Sequence, residues 1–183
     1  MKFSYKQLQT YFDEPLPSPE QLADAFTFHA FEIEGVEKTN DDVIMDIKVL
    51  PDRASYAKSY EGIALEISTV MQVKRKDSSR IPITSTREIS VTVDVINEVL
   101  GSEISKEEMI TILNRMEITV QENGADLILA VPDFRTDIQT WRDVPEEIGR
   151  IYGYDNIKAI LPKNTTFKPQ VEKMFYYSEK VKN

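Results

Sequence analysis

The chain has 183 residues, 41% of them hydrophobic and 29% charged, which is ordinary for a water-soluble globular protein of one domain or two small ones. With no cysteine it has neither a disulfide framework nor a thiolate metal site. A formal charge of −9 argues against a surface that grips nucleic acid all round.

The first residues are polar, so no signal peptide is read, and no stretch approaches the roughly 20 apolar residues of a membrane span. A cytoplasmic protein with no membrane contact is expected. The charge is uneven. Lysines 158, 163, 168, 173, 180 and 182 face only Glu172 and Glu179 in the last 28 residues, which leaves the rest at about −13. A basic terminal helix with Phe175, Tyr176 and Tyr177 can approach RNA or an acidic partner, or can be a solvated face.

Apolar spacing predicts a short helix over 5–12, with Leu8, Tyr11 and Phe12 on one face. Ser18 is placed to cap a second helix that has Pro19 at its first position. Residues 31–37 alternate as a half-buried strand, and 43–50 form its hairpin partner across the turn at 40–42. Pro51-Asp52-Arg53 ends that strand. A third helix carries Ile63, Ile67, Val70 and Met71. The polar stretch 74–88 reads as a linker.

The same order then returns. A helix over 93–100 ends at Gly101, and Ser105 caps the next, with Glu108 at the capping-box position. Residues 117–120 and 126–131 make a hairpin around Asn123-Gly124. Pro132-Asp133-Phe134-Arg135 ends it, and a helix starts at Asp143. Ser18-Pro19-Glu20-Gln21-Leu22 aligns with Ser105-Lys106-Glu107-Glu108-Met109, and Glu66-Ile67 with Glu147-Ile148. The expected fold is therefore α+β: two tandem helix-helix-hairpin-helix modules (1–73 and 89–162) and a basic tail helix (163–183). Halves of about 75 residues sit near the lower limit for an independent core, so they should lean on each other or on a partner.

Helix pairs followed by a two-stranded wing resemble winged-helix DNA-binding modules. The second helix of each half nevertheless shows Glu20, Asp24, Glu107 and Glu108, where a recognition helix presents Arg, Lys, Asn or Gln. A stand-alone tandem nucleic-acid-binding protein is thus the alternative reading, with no binding residue that can be named.

The densest chemistry lies at 132–154. On a helix starting at Asp143, residues Val144, Ile148, Ile151 and Tyr152 form one apolar stripe, and Asp143, Glu146, Glu147 and Arg150 form the opposite face. Asp143 is placed as an N-cap, and acids in the first turn favour the helix dipole. Asp137 can fold back over that helix start. Two readings stand: four carboxylates holding a hard cation such as Mg²⁺, or acids paired with Arg135, Arg142 and Arg150. A metal-dependent hydrolase on these carboxylates lacks an obvious general base. The lone His29 excludes a histidine triad or zinc cluster, and no glycine spacing makes a phosphate cradle.

Arg135-Thr136-Asp137-Ile138, followed by the run from Asp143 through Ile157 and by Leu161-Pro162, resembles the beta chain of phenylalanyl-tRNA synthetase. The N-terminal half agrees through 31–37, 46–53 and 62–67. The resemblance implies a subunit in ATP-dependent charging of tRNA(Phe), with catalysis on an alpha chain. It implies a scaffold role in a heterotetramer and a Mg²⁺ site shared with that chain at Asp137, Asp143, Glu146 and Glu147. It implies no catalytic residue here and no aminoacylation by this chain alone. The family's editing domain lies between the two modules; the 74–88 gap is too short for one, so editing is expected to be absent. Pro145 replaces the family's usual aliphatic residue, a tolerable change in a first turn.

Overall fold

In the computed structural model, described for residues 1–160 and 173–182, the chain builds two small antiparallel sheets, each packed against its own helices. The first part runs β1 (Lys2–Ser4), α1 (Tyr5–Gln9), α2 (Pro19–His29), β2 (Ile33–Lys38), β3 (Val43–Ile47), α3 (Ala54–Ala57) and α4 (Tyr60–Met71). The second runs β4 (Thr86–Thr92), α5 (Val93–Leu100), α6 (Lys106–Arg115), β5 (Thr119–Asn123), β6 (Asp126–Pro132) and α7 (Asp143–Tyr152). The described part of the tail is α8 (Lys173–Lys182); the rest of that expected helix lies outside the described residues. Among the described residues no helix is long and apolar enough to cross a membrane.

Local chemistry accounts for the helix starts. Ser18 and Gln21 form a reciprocal capping box with Pro19 in the first turn, and the Ser105 hydroxyl accepts from the Glu108 amide. Gly124 takes a φ of +63° just after β5, where the chain turns back to pair Asn123 with Asp126.

Both hairpins acquire a third strand that periodicity does not reveal. The sheet orders are β1-β3-β2 and β4-β6-β5, so in each sheet the leading strand lies beside the second hairpin strand. Phe3 and Val36 flank Met45 in one sheet, and Ile89 and Val120 flank Leu129 in the other. Leu8, Leu22, Phe26, Met45, Ile47, Ile63 and Ile67 fill the first core. Ile96, Met109, Leu113, Leu127, Leu129, Val131 and Ile148 fill the second.

The stretch 74–88 is more structured than its polar composition suggests. Its end becomes β4, because Ile89 and Val91 need a partner across β6. Its start is bolted down: Arg75 is buried, bridges to Phe12, donates to the Ser79 carbonyl at 2.9 Å and pairs with Glu117 at 2.7 Å. The two halves also touch directly. Phe134 packs into the first core, its carbonyl accepts from Ser55 Oγ at 2.8 Å, and Thr69 Oγ1 donates to the Arg115 carbonyl at 3.0 Å.

Candidate functional site

The acidic face of α7 turns inward, onto the first half of the chain. Arg135 (0% exposed), Glu66 (1%), Glu147 (3%) and Arg150 (5%) are the charged core of that contact. Charges so buried persist only when paired, and here every one is. Glu147 Oε2 lies 2.6 Å from Arg135 and 2.8 Å from Arg150, and Oε1 lies 3.3 Å from Arg53. Arg150 spans to Glu66 with bonds of 2.9 and 3.2 Å and donates to the His29 carbonyl at 2.9 Å. Tyr56 closes the circuit: its hydroxyl donates to Glu66 at 2.6 Å, and its ring lies 5.2 Å from the Arg135 guanidinium. His29 Nδ1 contacts the Arg150 carbonyl at 2.7 Å, so the single histidine is an interface residue.

The electrostatics follow from this packing. Burial would raise the Glu147 pKa, but the charges of Arg150 and Arg135 outweigh it and hold the carboxyl far below its ordinary range. Glu66 is likewise lowered, with Arg150 opposing the effect of burial. Burial and then Glu66 push the Tyr56 phenol well above its usual value. Burial alone would lower Arg150; Glu66 and Glu147 raise it instead.

The four expected cation ligands are not gathered into one shell. Asp137 is clamped by Arg135, with bonds of 3.0 Å from Nε and 2.6 Å from a terminal nitrogen. Glu147 carries three arginines. Glu146 is mostly exposed and lies 3.7 Å from Arg53. Asp143 is not the N-cap expected from its position: that place falls to Arg142, which makes no side-chain cap bond. The Asp143 carboxylate instead accepts from the Gln139 and Thr140 amides at 2.9 and 2.7 Å, which lowers its pKa against partial burial. It is captured by the loop before it can reach the helix amides. Among the described residues no group of three or more such side chains could hold a metal ion. Carboxylates suit a hard cation chemically, but three of these four already spend their charge on arginines or amides, so this chain alone does not fit one.

Spacing along α7 predicted a face of Glu147 and Arg150 opposite the apolar stripe. It could not show that a second set of groups covers that face. Spacing gave no sign that Glu66, Arg53 and Tyr56 are site residues, although the internal repeat aligns Glu66 with Glu147.

Residues 89–154 match the family described as "tRNA synthetase B5 domain". The match covers about a third of the chain and falls on its second half. The chain is 46% identical over 90 residues, 49% of its length, to the Phenylalanine–tRNA ligase beta subunit of Lactobacillus acidophilus, and covers 11% of that protein. It is 43% identical over 77 residues, 42% of its length, to the subunit of the same name from Methanocella arvoryzae, covering 14% of it. The chain thus spans about a tenth of the length of these curated relatives. The backbone is also similar to a crystal structure of an N-terminal fragment of the phenylalanyl-tRNA synthetase beta-subunit from Pyrococcus horikoshii. The TM-score is 0.69, with coverage of 83% of this chain and 99% of that one. Identity there is 10%, so that likeness concerns the fold, which extends well beyond the B5 module.

Proposed function

We propose that this chain serves as the beta-chain part of a phenylalanine–tRNA ligase, a scaffold that joins an alpha chain carrying the activation chemistry. The observation that carries the reading is the B5 match over 89–154 together with a beta-subunit fragment fold over most of the chain. The shared strand order of the two sheets supports a duplicated, winged-helix-like module as the building unit. The buried arginine–carboxylate seam supports a rigid platform, because it ties the two modules through Arg53 to Glu147, and through Arg150 to Glu66 and the His29 carbonyl. ATP and tRNA(Phe) are then substrates of the assembled enzyme, in the cytoplasm, and the short 74–88 connection supports a role without editing.

A Mg²⁺ site is part of this proposal only as one completed by the alpha chain, since Asp137 and Glu147 are already paired with arginines. Calorimetric titration of the chain alone with MgCl₂ is expected to show no saturable binding. The decisive experiment is co-expression with a phenylalanyl-tRNA synthetase alpha chain. A stable complex that charges tRNA(Phe) with phenylalanine, while the chain alone does not, is the expected result. Failure to associate, or charging by the chain alone, overturns the reading.

A further inference from the structure

A cleft of about 360 Å³ lies where the connection between the modules meets the turn after α6. Lys74, Arg75 and Arg80 line it from the connection, and Asn114, Arg115 and Glu117 from the α6 end. On a chain of net charge −9, this is a local concentration of positive charge.

The cations fall into two sets. Arg75 and Arg80 are consumed: both approach Glu117, at 2.7 and 3.7 Å, and Arg80 also meets Asp77 at 3.3 Å. Lys74 makes no ion pair or side-chain hydrogen bond with any described residue, and Arg115 makes none at bonding distance, although the Glu108 charge acts on it from the neighbouring pocket. The Arg115 Nε is shut off from solvent with no acceptor. A buried donor left unpaired is costly, so an acceptor at this place is favoured. The nearby helix end does not supply one. The carbonyls of Leu113, Asn114 and Arg115 are taken by Ile118, Glu117 and Thr69 respectively. That turn also holds Glu117 at a φ of +61°, a left-handed conformation unusual for a side chain of its size.

Neutral donors complete the lining. Ser68, Asn114 and Thr119 line the same cleft, and the side chain of none of them bonds to another described residue. A guanidinium fork, an ammonium and three neutral donors from different sides suit a tetrahedral oxyanion better than a planar carboxylate. Glu117 meets Arg75 and Arg80 through Oε1, and its Oε2 is buried with no hydrogen-bond partner, an acceptor open to the hydroxyl of a protonated phosphate.

We propose that this cleft binds a phosphate group, held chiefly by Arg115 and Lys74. The test is titration of the ¹⁵N-labelled full chain with sodium phosphate at constant ionic strength, followed by amide shifts. Saturable shifts clustered on 74–80 and 114–119 are expected. Arg115→Gln should weaken binding about tenfold and Lys74→Gln by a smaller factor, with the remaining spectrum unchanged. Lys74 is exposed, so its variant keeps the test decisive should Arg115→Gln fail to fold. Shifts that never saturate, that chloride reproduces, or that both variants leave intact overturn the proposal. An oligouridine arm separates the sources. Saturation of the same amides by RNA, in competition with phosphate, assigns a backbone phosphate; saturation by phosphate alone assigns a free one. Neither arm reads tRNA charging, so the outcome is independent of the ligase reading.

Discussion

Glu147 gathers the most charge of any carboxylate in the seam, within 3.3 Å of Arg53, Arg135 and Arg150. Glu147→Gln would leave buried guanidiniums uncompensated. A loss of about 3–5 kcal/mol in urea unfolding is expected, whereas Glu146→Gln, at an exposed neighbour, should cost no more than about 0.5 kcal/mol. The pH dependence has a definite sign. Glu147 and Glu66 both have folded pKa values below the ordinary 4.5. Their stabilisation is therefore fully present above pH 4.5 and is lost as the pH falls below it. Urea midpoints measured on descending from pH 6 should drop steeply in the wild type and less steeply in Glu147→Gln.

At the level of elements, the tightest constraint sits where α3 meets α4. A Cβ on Gly62 would lie 2.0 Å from the Tyr56 carbonyl oxygen and 2.5 Å from its carbon, both backbone atoms that cannot swing aside. Gly62→Ala should therefore destabilise by about 3 kcal/mol or more, read as a fall in the thermal midpoint. An ordinary helix-surface glycine would gain from the same change. Periodicity gives no sign of this role for Gly62, since close backbone approach leaves no periodic trace. Caps, turns and apolar stripes were legible because they depend on neighbours in sequence: Ser18, Ser105 and Gly124 all act where their chemistry predicts. The leading strands β1 and β4 were not, because a strand of three residues or one joined to a polar stretch takes its identity from the partner it finds.

Across the whole molecule, the seam makes two small cores into one unit. Trp141, the single tryptophan, packs against the second core and so reports on that half. In the wild type, Trp141 fluorescence and far-ultraviolet circular dichroism should unfold together. Arg150→Ala removes the one side chain among the described residues that bonds both Glu66 and Glu147, so the two signals are expected to separate, with one half melting earlier. Coincident transitions in that variant would show that the apolar contacts, such as Phe134 against the first core, suffice for coupling.

The amino-acid sequence by itself determined the α+β class, most helix and strand positions, the internal repeat and the resemblance carried by 135–157, because all of these rest on local spacing and residue type. It also marked Asp137, Asp143, Glu146 and Glu147 as a set. Only the tertiary structure decided their partners. Spacing along a helix fixes which carboxylates share a face, but not what is packed against it. Here Arg53, Glu66 and Tyr56, some eighty residues earlier, cover that face and build a buried lock between modules.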